Sequence, residues 1–386
     1  MHPVTKASPA TLPAPPRRSY RAAPRFCAPL LCRRFTASGL LLATALLFAG
    51  CDVRLETPPP AEPVPDAIEL VRRTVAADAE RIAQLSAIAA VGEESEAVRE
   101  ELLRINADAR AHLASVGGIY VSGLSLPDDN VEAEAALPQN ATVAEVLSEL
   151  NRAAHNNISN AVGDPNGNKA RLFASIGISQ GLAAERLAAA SGVENPDPIT
   201  NWYGLEGEAE LGSPDGHEAT GITVADFQAI VKSEDAARYA FEVAAARSEG
   251  DLRAAFRHRA RLHGARAQAW AALGQIAETD QDPRLVAYQI PLDIPPAELV
   301  LLIENGLSLR WAALIAAAAP GARSPLVEAL VASQQTVAQW GGSVAAFPGI
   351  PELEGSFGSA ATAPDAPRIP YEWAAELPEE PHEGPE

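Results

Sequence analysis

Between Asp226 and Trp340 four stretches follow one another in which apolar residues recur every three or four positions: DFQAIVKSEDAARYAFEVAAAR, LRAAFRHRARLHGARAQAWAAL, PAELVLLIENGLSLRWAALIAAAA and PLVEALVASQQTVAQW. That spacing gathers the apolar side chains into one stripe of a helix. A helix with such a stripe must bury it against other helices or a sheet. Alternation of the strand type is scarce, so the chain is expected to be all-α. The same pattern predicts helices over Ala67 to Val91, Ser95 to Val116, Thr142 to Val162 and Lys169 to Ser191. Gly92, Gly117, Gly163 and Gly192 follow these stretches, where a helix C-cap favours positive φ.

Each set of four has a short turn, a long connection and another short turn. The long connections are Gly118 to Asn140 and Ala277 to Ile294. Two helices, a crossover and two more helices make a bundle of ferritin-like topology. The expectation is therefore two tandem bundles, 67–192 and 223–352, joined by a linker over 193–222 that Trp202 and Tyr203 could dock. With 386 residues and 47% hydrophobic content, the chain can supply a core for each.

The halves also repeat each other in where polar residues interrupt the apolar stripes. Asp78 lies seven residues from both Val71 and Leu85, and Glu234 seven from both Phe227 and Phe241, so each acid faces inward. Ala-Arg-x-His occurs at Ala109 to His112 and at Ala260 to His263. Ser-Gln occurs at Gln180 and at Gln334. The offsets are 156, 151 and 154 residues, nearly constant over three helices, as an internal duplication requires.

The segments SEDAARYAFEVAAAR, AYQIPLDIPPAELVLLIENGLSLRWAALIAAA and AQWGGSVAAFPGIPE resemble an actinobacterial ferritin-like domain family of unknown function, found in secreted or lipid-anchored proteins. The resemblance covers about Thr223 to Glu352. It implies a ferritin-like fold and brings no activity with it. A ferritin-like di-iron site takes a Glu from each of two helices and a Glu-x-x-His from each of the other two. Glu234, His263 and Glu304 fall on inward stripes, but Ala260 stands where the first Glu-x-x-His needs its Glu, and Gln334 with Val337 replaces the second.

Half a ligand set leaves two readings of these residues. In one, Glu234, His263, Glu304 and Gln334 satisfy one another as a polar network, with Asp78, His112 and Gln180 as the counterpart in the first half. No cofactor is then expected. In the other, Glu234, His263 and Glu304 hold iron, manganese or zinc. His258 points off the stripe and is expected in water. There is no phosphate-binding glycine loop, nucleophile elbow or Cys-x-x-Cys, which removes nucleotide hydrolysis, serine hydrolysis and dithiol redox chemistry. The surviving classes are a non-catalytic binding or scaffold protein, and a metal-binding oxidoreductase or storage protein.

The ends carry the address. The first 50 residues hold seven of the 30 basic residues and none of the 50 acidic ones, leaving a net charge of −27 from Cys51 onward. Such a charge disfavours nucleic acid as a partner. Arg33-Arg34, the apolar run Gly39 to Ala49 and the sequence Phe48-Ala49-Gly50-Cys51 resemble a lipoprotein-type signal peptide over 1–50 ending at a lipidated cysteine. The run of 11 is too short to span a bilayer. Cys27 and Cys32 fall within the signal, so Cys51 is the one cysteine beyond it. The proline-rich stretch 51–66 then reads as a tether and 353–386 as a disordered acidic tail. The expected setting is extracytoplasmic, with the membrane as partner through the lipid and an envelope protein or small ligand as the further one. Replacing Cys51 by Ser is expected to move the protein out of the detergent-extracted fraction and remove the acyl mass increment. Unchanged partition in membrane fractionation would show that Cys51 carries no anchor.

Overall fold

The computed structural model describes residues 63–122, 140–202 and 220–356, Leu292 apart. The signal, Cys51, most of the tether, Tyr203 and residues 357–386 of the expected acidic tail lie outside these residues, while Leu353 closes a short turn, Pro351–Leu353, and Glu354 accepts from the Phe347 N–H at 2.7 Å. Among the described residues there are eight α-helices and no strand. In the first half these are α1 (Ala67–Gly92), α2 (Glu96–Ser115), α3 (Val143–Gly163) and α4 (Gly167–Ser191). The second half has α5 (Val224–Ala246), α6 (Gly250–Leu273), α7 (Pro296–Ala317) and α8 (Ser324–Gln339).

The helix starts are fixed by side chains that take up free backbone N–H groups. Asp66 accepts from the Glu69 N–H at 2.8 Å, and Asn166 from Lys169 at 3.0 Å. Thr142 with Glu145 and Thr223 with Asp226 form reciprocal capping boxes. The ends differ from expectation in one respect. Gly117 and Gly192 have φ of 87° and 70°, but Gly92 and Gly163 are the last helical residues and take no positive φ. Their helices run on into extended backbone at Glu93 and Asp164, so no left-handed cap is needed.

In the first half α1 packs on α2 and α3, and α4 packs on α2 and α3. Asp78 meets Arg152, while Arg81, further along α1, lies beside Glu145 near the start of α3, so α1 and α3 run antiparallel. Arg186, late in α4, pairs with Glu101, early in α2, which sets those two antiparallel as well. It follows that α2 ends and α3 begins at opposite ends of the bundle. The second half repeats the order. α5 packs on α6 and α7, α7 packs on α8, and the Arg259–Thr336 contact ties α6 to α8.

The two halves share a core. One apolar cluster runs from Val75, Ile158 and Phe173 in the first half to Phe227, Phe241, Phe256 and Trp311 in the second, and α4 packs along α7. A second cluster, including Ile82, Leu102, Leu147 and Leu187, fills the far end of the first half. Helix α7 is long and apolar enough to cross a membrane by composition alone, but most of it is buried here between α4, α5 and α8. A helix apolar on all sides is what a position between two bundles demands.

Polar groups close the same seam. Arg323 is 1% exposed, and its Nε donates to the carbonyls of Ile315 (2.9 Å) and Ala318 (3.1 Å) at the end of α7. Its Nη1 donates to Ala161 (2.9 Å) and Asp164 (2.5 Å) at the end of α3. A cation thus sits where the negative ends of two helix dipoles converge. Gly167 opens α4 directly against α7, where an added Cβ would lie 1.9 Å from the Ala316 carbonyl oxygen. The segment after α8 folds back over the first half. Ser175 Oγ donates to the Pro348 carbonyl, and Phe347 and Ile350 are buried. Trp202 stacks on His155 and donates to Asp197 at 2.6 Å, docking the start of the 193–222 stretch on α3.

Replacing Arg323 by Met is expected to strip the donors from four carbonyls and cost about 3 kcal/mol or more. Urea denaturation followed by circular dichroism measures this. A loss below about 1 kcal/mol would mean that water substitutes freely at the seam.

Candidate functional site

The second half brings three of the predicted inward residues together. Glu234 from the middle of α5, His263 from α6 and Glu304 from α7 are each 0% exposed. His263 Nδ1 lies 2.6 Å from Glu234 Oε2, and its Nε2 lies 3.4 Å from Glu304 Oε1. The imidazole therefore bridges two carboxylates on two other helices. Phe241 stacks on it with ring centroids 5.2 Å apart, and Phe256 stacks on Phe241 in turn.

A fourth group completes the charges. Arg259, one turn before His263 on α6, reaches inward to bond both Glu304 and the Thr336 hydroxyl of α8. Two carboxylates thus face two cationic side chains out of water. Burial works against the imidazolium, but the charge and hydrogen bond of Glu234, with Glu304 behind them, outweigh it and raise the His263 pKa above 6.5. Burial also opposes ionisation of Glu304, yet Arg259 and His263 hold its pKa down at about 2. Among the described residues Glu234 Oε1, Glu304 Oε2, His263 Nε2 and Arg259 Nε are buried in this group without a hydrogen-bond partner.

Gln334 does not join this group. Its Nε2 donates to Ser308 Oγ at 2.8 Å, and Ser308 in turn donates to the Glu304 backbone carbonyl. The network reaches Glu304 only through the main chain. The reason is register: Thr336, two residues on, is the α8 side chain that Arg259 meets.

The first half does not gather Asp78, His112 and Gln180 into a matching cluster. Asp78 accepts from Arg152 at 2.6 Å and from Asn156 at 3.4 Å, both on α3. Gln180 accepts from Asn157 at 2.8 Å. These two pairs lie at the level where the two apolar clusters meet. His112 looks the other way. Its Nε2 is 2.8 Å from the Ala346 carbonyl, and its ring meets Phe347 edge-on. Burial lowers its pKa to about 4 against the help of that carbonyl, so the ring is neutral and donates through Nε2. Its role is to clasp the segment after α8. His258 faces solvent, as its position off the stripe predicts.

Sequence reasoning missed Arg259, Thr336 and Arg152. The signal for Arg259 was available: it lies four residues before His263 and so shares its face. An arginine among the five of one helix reads as surface, which hid it.

The donor set does not suit the metals that the resemblance raises. A bound cation needs lone pairs aimed at one point about 2.0 to 2.2 Å from each ligand atom. Here both imidazole nitrogens face carboxylate oxygens directly, and Arg259 already supplies positive charge to Glu304. Among the described residues no three His, Cys, Asp or Glu side chains are grouped to hold a metal ion. The arrangement does not fit a di-iron centre. It fits a salt-bridged lock across three helices.

Residues 226–352, which span α5 to α8 and the closing segment, match the family model of a domain of unknown function, DUF4439. No curated protein and no solved structure matches the chain.

The raised His263 pKa has a consequence for stability. A group protonated in the folded state above its unfolded value of 6.5 contributes fully below that pH, and its contribution falls as pH rises through the folded value. Glu304 behaves oppositely, contributing above 4.5 and losing effect as pH falls towards 2. The wild-type advantage over His263→Gln, which can still donate to Glu234 but does not titrate, should therefore shrink above pH 6.5. The slope is about 1.4 kcal/mol per pH unit at most, read from urea midpoints between pH 6 and 8.5. A constant difference over that range would mean that His263 is neutral in the fold.

Proposed function

We propose that this is a non-catalytic, lipid-anchored helical protein of the cell envelope, serving as a binding or scaffold module whose second half keeps a ferritin-like arrangement without its chemistry. The observation that carries the reading is the pairing of Glu234 and Glu304 with His263 and Arg259. Groups that a redox or storage centre needs free are spent on one another, and the lock they form fixes the register of three helices. The lipobox-like Phe48-Ala49-Gly50-Cys51 supports the anchor and the extracytoplasmic setting. The net charge of −27 beyond the signal supports a protein or small-ligand partner over nucleic acid.

A second reading, a metal-binding ferritin-like oxidoreductase or storage protein, draws on Glu234 Oε1 and Glu304 Oε2. These buried oxygens have no donor and are the atoms a cation would take. Metal analysis of the protein purified without its lipid separates the two readings. Iron, manganese and zinc are expected well below one per chain, with no shift in thermal midpoint on chelation. One equivalent of metal in the wild type, absent from His263→Ala, would replace the scaffold reading with the metal-binding one.

A further inference from the structure

Helix α6 is out of keeping with its chain. In a protein with 23 basic and 50 acidic residues beyond Gly50, this one helix carries Arg253, Arg257, Arg259, Arg261 and Arg266 together with His258, against a single acid, Asp251. Some of these cations are used within the fold. Arg253 donates to the carbonyls of Ala245 and Ser248 that end α5. Arg259 pairs with Glu304, and Arg266 lies near Glu304 and Glu328. Arg257, His258 and Arg261 are exposed, and among the described residues no ion pair or hydrogen bond engages them.

These three sit on one side of the helix, opposite Phe256, His263 and Trp270, which face the core. Arg257 and Arg261 are four residues apart, where like charges repel. A repulsive stripe gains most from an anion laid along it. An outside anion, whether a phospholipid surface or an acidic protein, must approach a chain that is itself strongly negative. The chain carries its own candidate. Residues 357–386 hold seven carboxylates and one cation, Arg368. At about 3.3 Å per extended residue, these 30 positions reach on the order of 100 Å beyond Ser356, more than twice the length of α6. Being tethered, they act at a high effective concentration that a separate molecule lacks.

We propose that the acidic segment 365–386 docks on the Arg257/His258/Arg261 stripe of α6, shielding it from anionic surfaces. The inference is independent of whether the quartet at His263 binds metal. Arg368, at the head of the segment, provides the readout, because trypsin cuts after it and the products are distinguished by mass.

The full chain carrying Cys51→Ser is treated briefly with trypsin in low salt and in roughly 0.5 M salt, where the Debye length falls to a few ångströms. Cleavage at Arg368 is expected to be slow in low salt, and at least about threefold faster in high salt. Arg257→Glu with Arg261→Glu should give the fast rate in low salt, and Arg257→Lys with Arg261→Lys should restore protection. Equal cleavage in all four cases would overturn the proposal. If the charge-reversed variant loses its helical signal, the salt comparison and the lysine variant still decide. The same proteins are mixed with phosphatidylglycerol vesicles. Binding that the charge-reversed variant loses, with Arg368 cleavage unchanged, would assign the stripe to a membrane and also overturn tail docking.

Discussion

A single guanidinium with almost no water around it holds the seam of this molecule. Arg323 lies in the turn between α7 and α8, yet it bonds carbonyls at the end of α3 as readily as those at the end of its own α7. Helix ends leave carbonyls unpaired, and two such ends brought together out of water would repel. One cation resolves both problems. The arrangement also sets where α4 can start, since Gly167 touches the α7 main chain beside it. The docking of α4 along α7 and the shared core follow from that joint, so the halves are parts of one packed body.

The buried charges of the second half obey the same rule in a different form. Glu304 is on the most apolar helix among the described residues and is tolerable there because Arg259 and His263 meet it. Removing one partner would cost more than the pair contributes, because the other would be left charged and dry. His112 illustrates the alternative. Its Nε2 meets the Ala346 carbonyl, and burial keeps the ring neutral. The pKa values of two histidines at corresponding places in the two halves are thus pushed in opposite directions, one histidine locking three helices and the other clasping the closing segment.

Much of the fold was legible in the sequence. The predicted helices match the observed ones to within a few residues because amphipathic period, capping residues and glycines agree locally. The inward positions of Glu234, His263 and Glu304 were legible too, from their spacing to Phe227, Phe241, Phe256 and Trp311. What periodicity could not give was partnership. A stripe says that His112 faces inward, but not that the segment around Ala346 will be the neighbour it finds. Arg323 and Arg259 were hidden for a related reason: an arginine in a turn or on a basic helix reads as surface until the tertiary fold encloses it. The docking of the halves was illegible because α4 and α7 meet through small and apolar residues that carry no register of their own.

Helix α7 has a further implication, for how the chain reaches its place. Its length and composition pass the test for a membrane span, yet in the folded protein it is enclosed by helices on several sides. Under the proposed export, a chain threaded through a translocon unfolded would present this stretch before α4 or α5 could cover it. A carboxylate near the middle of an apolar helix opposes lateral release into lipid by a few kcal/mol. Glu304 would then act during biogenesis as a pass signal, letting α7 slip across to the side where its partners fold.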